Sequence, residues 1–519
     1  MRGPRLVAPV ALALAGCTIG DAYVKPDARL PAAHRDAPKP AKAGKGPPPV
    51  PLGERTWETV FPDPALQELL RAALEANFDL RTAAERVEVV RHAYRIQDSF
   101  RYPSIAGGGS LDAAHLSDTL NPGVRDDSIH SGRAALQASW EIDLWGRLRN
   151  LSEAAWQDYL AAEWFRRGVE TAVVGDVAEG WFRLLDLDLE LEISERTLRT
   201  YEASLRLTQL RLENGVSSAL EVRQSEQLLA TAARNLPDLR NQIAQTENAL
   251  RFLTGADPGP VRRGRPLTAQ VLLADIDPGA PALLLVRRPD IQAAEAALIG
   301  ANARVSAARA LYFPQITLAG LVGLESDGLS DFLESDAVFA EGALAAVFPI
   351  FTAGRTDATV EAERANQRAL LASYDGSVRA ALRDVASALS DTVRTREIRA
   401  EQERLFTATA ETARLANLRF IGGVDSYLQV LDAERQKFDA ELGLAQTRRD
   451  EHLAVVRLYR ALGGGWTDPA APDEAAKGSA DVAQAAPPGK GAPRGANAPQ
   501  APADAPEDPA RDAPPAKKE

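Results

Sequence analysis

The sequence predicts a mainly α-helical chain with a membrane β-barrel, assembled from duplicated units of helix, β-hairpin, very long helix, turn and returning helix. Three observations predict it. The run from Arg147 to Glu213 contains no proline and keeps helical periodicity through Ala155, Tyr159, Ala162, Val169, Val173 and Val177, with charges interleaved. Ala134 to Leu144 alternates instead, with Ala134, Leu136, Ala138, Trp140, Ile142 and Leu144 on one face and Gln137, Ser139, Glu141 and Asp143 on the other. The whole pattern also repeats. Gly146, Gly215, Leu220 and Gly255 are answered 208 residues later by Gly354, Gly423, Leu428 and Gly463, the fixed offset of an internal duplication.

Composition narrows the function classes. The chain has 519 residues, 45% hydrophobic and 25% charged, with a net charge of −12 drawn from 60 basic and 72 acidic residues. It carries no basic stripe of the kind that binds nucleic acid. Its only cysteine is Cys17, which rules out an internal disulfide framework or a thiolate metal cluster. The histidines at 34, 92, 115, 130 and 452 lack ligand spacing, and neither a phosphate loop nor a nucleophile elbow is present. No enzyme activity, cofactor or metal is expected.

Residues 1–17 read as an export signal, with Arg2 and Arg5 ahead of a short apolar core. It ends Leu14-Ala15-Gly16-Cys17, which resembles a bacterial lipobox. Cys17 would become the lipidated first residue, and Thr18 in place of an aspartate implies sorting to the outer membrane. Residues 18–56, including Pro47-Pro48-Pro49, form an extended Pro/Ala-rich linker without a core of its own.

The first repeat spans 57–255. Trp57, Phe61, Leu66, Leu69, Leu70, Ala73 and Leu74 lie at helical spacing, with Pro64 suited to a first turn. Asn77 and Asp79 cap a second helix that Tyr102-Pro103 ends. Barrel strands are expected at about 103–115 and 133–145, joined by a polar loop from Asp118 to Ser128 containing Asn121-Pro122-Gly123. The 67-residue helix that follows would extend about 100 Å at 1.5 Å per residue. No apolar stretch of about 20 residues follows the signal, so its helices do not cross a bilayer. A turn at Gly215 reverses the chain.

Residues 256–288 hold five prolines and form a connector. The second repeat, 289–465, restates the first. Asp290 to Pro314 is as long as Asp79 to Pro103, strands are expected at about 314–325 and 338–351, and Gly422-Gly423 makes the second turn. The tail, 466–519, has 11 prolines and is expected to be disordered. Four strands cannot close a barrel and open edges are not tolerated in lipid. Several chains must share the barrel, and three would supply twelve strands.

These residues resemble the TolC/OprM-like outer-membrane efflux factors, in particular their lipoprotein, NodT-like branch of the RND-type systems. The marks are Trp57…Phe61-x-Asp63-Pro64-x-Leu66, Asn77-x-Asp79-Leu80, Arg288-Pro289-Asp290-Ile291, Phe313-Pro314, Phe348-Pro349-Ile350…Gly354-Arg355 and Tyr427-Leu428-x-x-Leu431-Asp432-Ala433, in order around the duplication.

The resemblance implies a homotrimer with a twelve-stranded barrel continued by a periplasmic α-helical tunnel. It also implies the role of exit duct in a tripartite efflux pump, with a periplasmic adaptor and an inner-membrane transporter as partners. A gate formed by Leu428, Asp432 and Arg435 is implied at the periplasmic tip. Adaptor-docking turns are implied at Gly215, Val216 and Ser217 and at Gly422, Gly423 and Val424. Gln429 stands where some members carry a further acidic residue. The competing readings are a periplasmic adaptor, which would carry one hairpin flanked by β-rich domains, and a structural coiled-coil lipoprotein, which would need no alternating strands.

Overall fold

Asp63 fixes where the helical body begins. Its carboxylate, 1% exposed, accepts from the Ala65 amide at 2.9 Å and so caps α1, Pro64–Ala76, with Pro64 in the first turn. The same carboxylate accepts from the Arg265 amide and from Gln270, pinning the connector to the start of the first repeat. Asn77 then caps α2, Phe78–Ser99, accepting from the Asp79 and Leu80 amides while its own amide donates to the Leu253 carbonyl.

The computed structural model describes residues 19–36, 50–115, 128–273, 276–326, 332 and 334–466. Cys17, the loop residues 118–127 and the tail beyond Trp466 lie outside these. After α2 come β1, Ser104–His115, and β2, Ser128–Ile142; then α3, Arg147–Glu213, and α4, Ala219–Leu253. The second repeat gives α5, Pro289–Arg309; β3, Gln315–Ser326; β4, Val338–Val347; α6, Arg355–Ile421; and α7, Tyr427–Ala461. The two longest helices contain 67 residues each and the two returning helices 35 each. The connector is not wholly irregular, since it contains 3₁₀ turns at Leu267–Ala269 and Pro281–Leu283 and a helical turn at Leu284–Arg287.

The four strands form one antiparallel sheet in the order β1-β2-β3-β4, so the two hairpins join through β2 and β3. Register aligns the apolar faces: Leu136 pairs with Val322, and Trp140, Leu318 and Leu344 form a row across three strands. Gly323 has a packing reason, because a Cβ there would lie 2.3 Å from the Ala134 carbonyl oxygen. β2 starts before 133 and stops before 145. Asp143, read from its alternation as a strand residue, leaves the sheet and accepts from the Leu148 and Arg149 amides at 3.1 and 2.8 Å. Glu141 pairs with Arg147 through two hydrogen bonds. The free amides of α3 take the carboxylate that alternation had assigned to the strand. β4 likewise stops before 351, where Pro349 has no N–H to continue a ladder.

Below the sheet the core forms a belt. Trp57, Phe61, Leu66 and Leu70 pack with Val177, Trp181 and Leu184 of α3, and the cluster continues through Tyr374 and Val385 of α6 to Leu458 of α7. Burying each such side chain contributes about 1.5–3 kcal/mol, so this belt, and not the exposed sheet, holds the single chain together. Residues 19–36 run along the body and do not hang free. The Ile19 amide donates to the Trp145 carbonyl at the foot of the sheet, Asp21 pairs with Arg309, Lys25 pairs with Glu295, and Ala28 reaches the belt.

Candidate functional site at the paired turns

At the end farthest from the strands, each repeat reverses on a glycine. Gly215 and Gly423 have φ of 70° and 71°, in the left-handed region, and an added Cβ would meet nothing within 4 Å at either. Backbone conformation, not crowding, therefore selects glycine here. Hydrogen bonding repeats with it: Gly215 and Val216 donate to Leu212 and Arg211, while Gly423 and Val424 donate to Phe420 and Arg419. These are the closing bonds that satisfy helix-end carbonyls. The restarts differ. Ser218 caps α4 by accepting from the Glu221 amide, whereas Ser426 makes no side-chain cap. At the second turn Arg419 grips Asp425 through two hydrogen bonds, 2.6 and 3.0 Å.

Leu428, Asp432 and Arg435 lie at i, i+4 and i+7 on α7, along one face. Leu428 is 55% exposed in the single chain, as are the tip residues Val216 and Val424 to a similar degree. Arg435 donates to Asp432 at 2.8 Å, and Gln436 donates to its other oxygen at 2.6 Å. The hydrogen bond from Arg435 holds the Asp432 carboxyl below the usual range, and Asp432 raises the Arg435 guanidinium in return. The pair is thus charged and solvated within one protomer. The opposite face of α7 is buried: Tyr427 and Val430 pack with Phe420.

Sequence reading missed the tie between the two turns. Tyr427 is 2% exposed, and its hydroxyl hydrogen-bonds Ser204 Oγ of α3 at 2.9 Å and Ser225 Oγ of α4 at 3.0 Å. Its ring contacts Phe420, whose face carries the Arg211 guanidinium at 4.6 Å. One side chain of the second repeat therefore fastens both helices of the first. No local signal could have revealed this, because the partners lie 223 and 202 residues away.

A four-stranded apolar sheet continued by four long helices that end in paired turns defines a chain of the outer-membrane channel class. No helix among the described residues is long and apolar enough to cross a membrane. The model of the family described as outer membrane efflux protein matches residues 69–256 and 280–464. The chain belongs to that family and is an outer-membrane efflux channel component.

It is 37% identical over 468 residues to the solvent efflux pump outer membrane protein SrpC of Pseudomonas putida, covering 88% of this chain and 97% of that protein. To the cation efflux system protein CusC of Escherichia coli O6:H1 it is 31% identical over 468 residues, covering 88% and 97%. The open state of the Neisseria gonorrhoeae MtrE outer membrane channel superposes with a TM-score of 0.78 at 30% identity, covering 86% of this chain and 98% of that one. The family is one of transporters.

Proposed function

We propose that three copies of this chain form the gated exit duct of a tripartite efflux pump, receiving small molecules through a periplasmic adaptor from an inner-membrane transporter. The observation that carries this reading is the sheet. Among the described residues its β1 and β4 have no strand partner on their outer sides, and its face exposes Ile105, Leu111, Leu136, Val322 and Leu344. Unpaired edges do not persist in lipid, so neighbouring copies pair them, and three copies close twelve strands. Trp145 packs on Phe313 at the strand–helix junction, and Phe348 and Phe351 stand exposed between β4 and α6, where a membrane barrel carries its aromatic girdle. Lipidation at Cys17 belongs to the same reading, and the Ile19 amide, which donates to the Trp145 carbonyl, holds the described N-terminal segment at the foot of the sheet.

In this duct Leu428, Asp432 and Arg435 form the resting constriction, with the charged pair exchanging its water for contacts to neighbouring copies. The exposed turns at Gly215-Val216-Ser217 and Gly422-Gly423-Val424 receive the adaptor. Native mass spectrometry of the detergent-purified protein tests the assembly. Three chains per particle, each bearing acyl mass that Cys17→Ser removes, is the expected result; a monomer would overturn the reading.

A further inference from the structure

Both returning helices carry a helix-weakening residue at the same level. In α4 it is Pro237, exposed in the helix interior. Proline has no N–H, so the Ala233 carbonyl loses its helical donor there. In α7 it is Gly443, which stands 208 residues after Asn235, two positions from Pro237. At 1.5 Å per residue both points lie about 25 Å from their turns.

Gly443 is there for a reason of space. An added Cβ would lie 2.6 Å from Gln402 Nε2 of α6, and that amide donates to the Ala440 carbonyl of α7 at 2.9 Å. The missing side chain admits a neighbour's amide to the helix backbone, at a residue type that itself weakens a helix. Gln402 corresponds, 208 residues earlier, to Ser194, whose shorter side chain has no hydrogen-bond partner among the described residues. Only the helix that carries Leu428, Asp432 and Arg435 has this bond.

Packing divides α7 at the same level. On the belt side Leu458 is fully buried, Glu451 pairs with Arg399 at 3.0 Å, and Arg449 pairs with Asp186 at 2.6 Å. On the tip side Tyr427 and Val430 pack with Phe420. Between Val430 and Ala454 the fully buried apolar residues of α7 are Ala433, Ala440, Leu444 and Ala445, of which only one is large. Beside the glycine, Arg196 of α3 pairs with Glu441, and the arginine is half exposed, so the pair restrains the helix weakly. Few large apolar contacts and a broken or weakened backbone ladder mark segments of low local stability.

We propose that α4 and α7 are jointed at this level, and that the tip-side arm of α7 swings about Gly443 when the tip opens, with the bond from Gln402 to the Ala440 carbonyl as the catch of the joint. The swing's part in gating rests on the duct reading; the joint itself does not.

Hydrogen–deuterium exchange of the detergent-purified full-length protein tests the joint. After correction for intrinsic rates, amides near 238–241 and 443–447 are expected to exchange at least about fivefold faster than those on both the tip and belt sides. Absence of either minimum overturns the joint, even if a variant fails to fold. Planar-bilayer recording tests the swing. With Asp432→Ala and Arg435→Ala in place, Gln402→Ala is expected to lengthen openings severalfold. Adding Gly443→Ala, for which Gln402→Ala has already made room, favours the unbent helix and is expected to lower the open-to-closed ratio about fivefold. A ratio indifferent to both substitutions overturns the swing. Exchange minima without channels contradict the duct alone; channels opened by the Asp432 and Arg435 substitutions, without the minima, contradict the joint alone.

Discussion

Single residues set both the turns and the acid stability of the belt. His452 is buried and stacks on Phe182 with centroids 4.5 Å apart. Burial, aided by Arg399, lowers its imidazole to about 4. The unfolded chain takes up a proton near pH 6.5 while the folded chain refuses it, so this contribution is complete above pH 6.5 and is lost as pH falls toward 4. The shift corresponds to about 3 kcal/mol per chain. His452→Phe keeps an aromatic partner for Phe182 and removes the titration. The unmodified protein should lose more of its thermal midpoint between pH 7.5 and pH 4.5 than the variant, and equal losses would refute the assignment. The sequence did not mark this histidine, because nothing local separates a buried ring from an exposed one. Gly215 and Gly423 were legible for the opposite reason: a left-handed backbone at a turn requires glycine, and the duplication shows the requirement twice.

Among the elements, the long helices and the sheet were readable from their periods, and the junctions between them were not. Periodicity counts apolar positions, but an unsatisfied helix terminus recruits the nearest carboxylate whatever its place in an alternation, as Asp143 demonstrates. The tie at the tip was invisible for a different reason, since Tyr427, Ser204 and Ser225 belong to three helices that only the fold brings together. Tyr427→Phe retains the ring packing on Phe420 and removes both hydroxyl bonds, each worth about 1 kcal/mol. Amide exchange should accelerate around Ser204, Ser225 and the second turn while the belt stays protected. Unchanged exchange at the tip would show that Tyr427 does not couple the turns.

For the whole molecule, the duplication explains why the described residues supply four strands and four tip-reaching helices, and why their sheet has two unpaired edges. It also explains the asymmetry of the tip. Asp432 and Arg435 correspond, 208 residues earlier, to Gln224 and Gln227, so only the second turn carries the charged pair. In the proposed assembly that pair shuts the duct, and the measurement that bears most directly on this claim is planar-bilayer recording of the purified protein. The unmodified protein should insert with small, mostly closed conductance, and Asp432→Ala combined with Arg435→Ala should raise it severalfold. Absence of channels from both, with the particles still assembled, would contradict a gated duct.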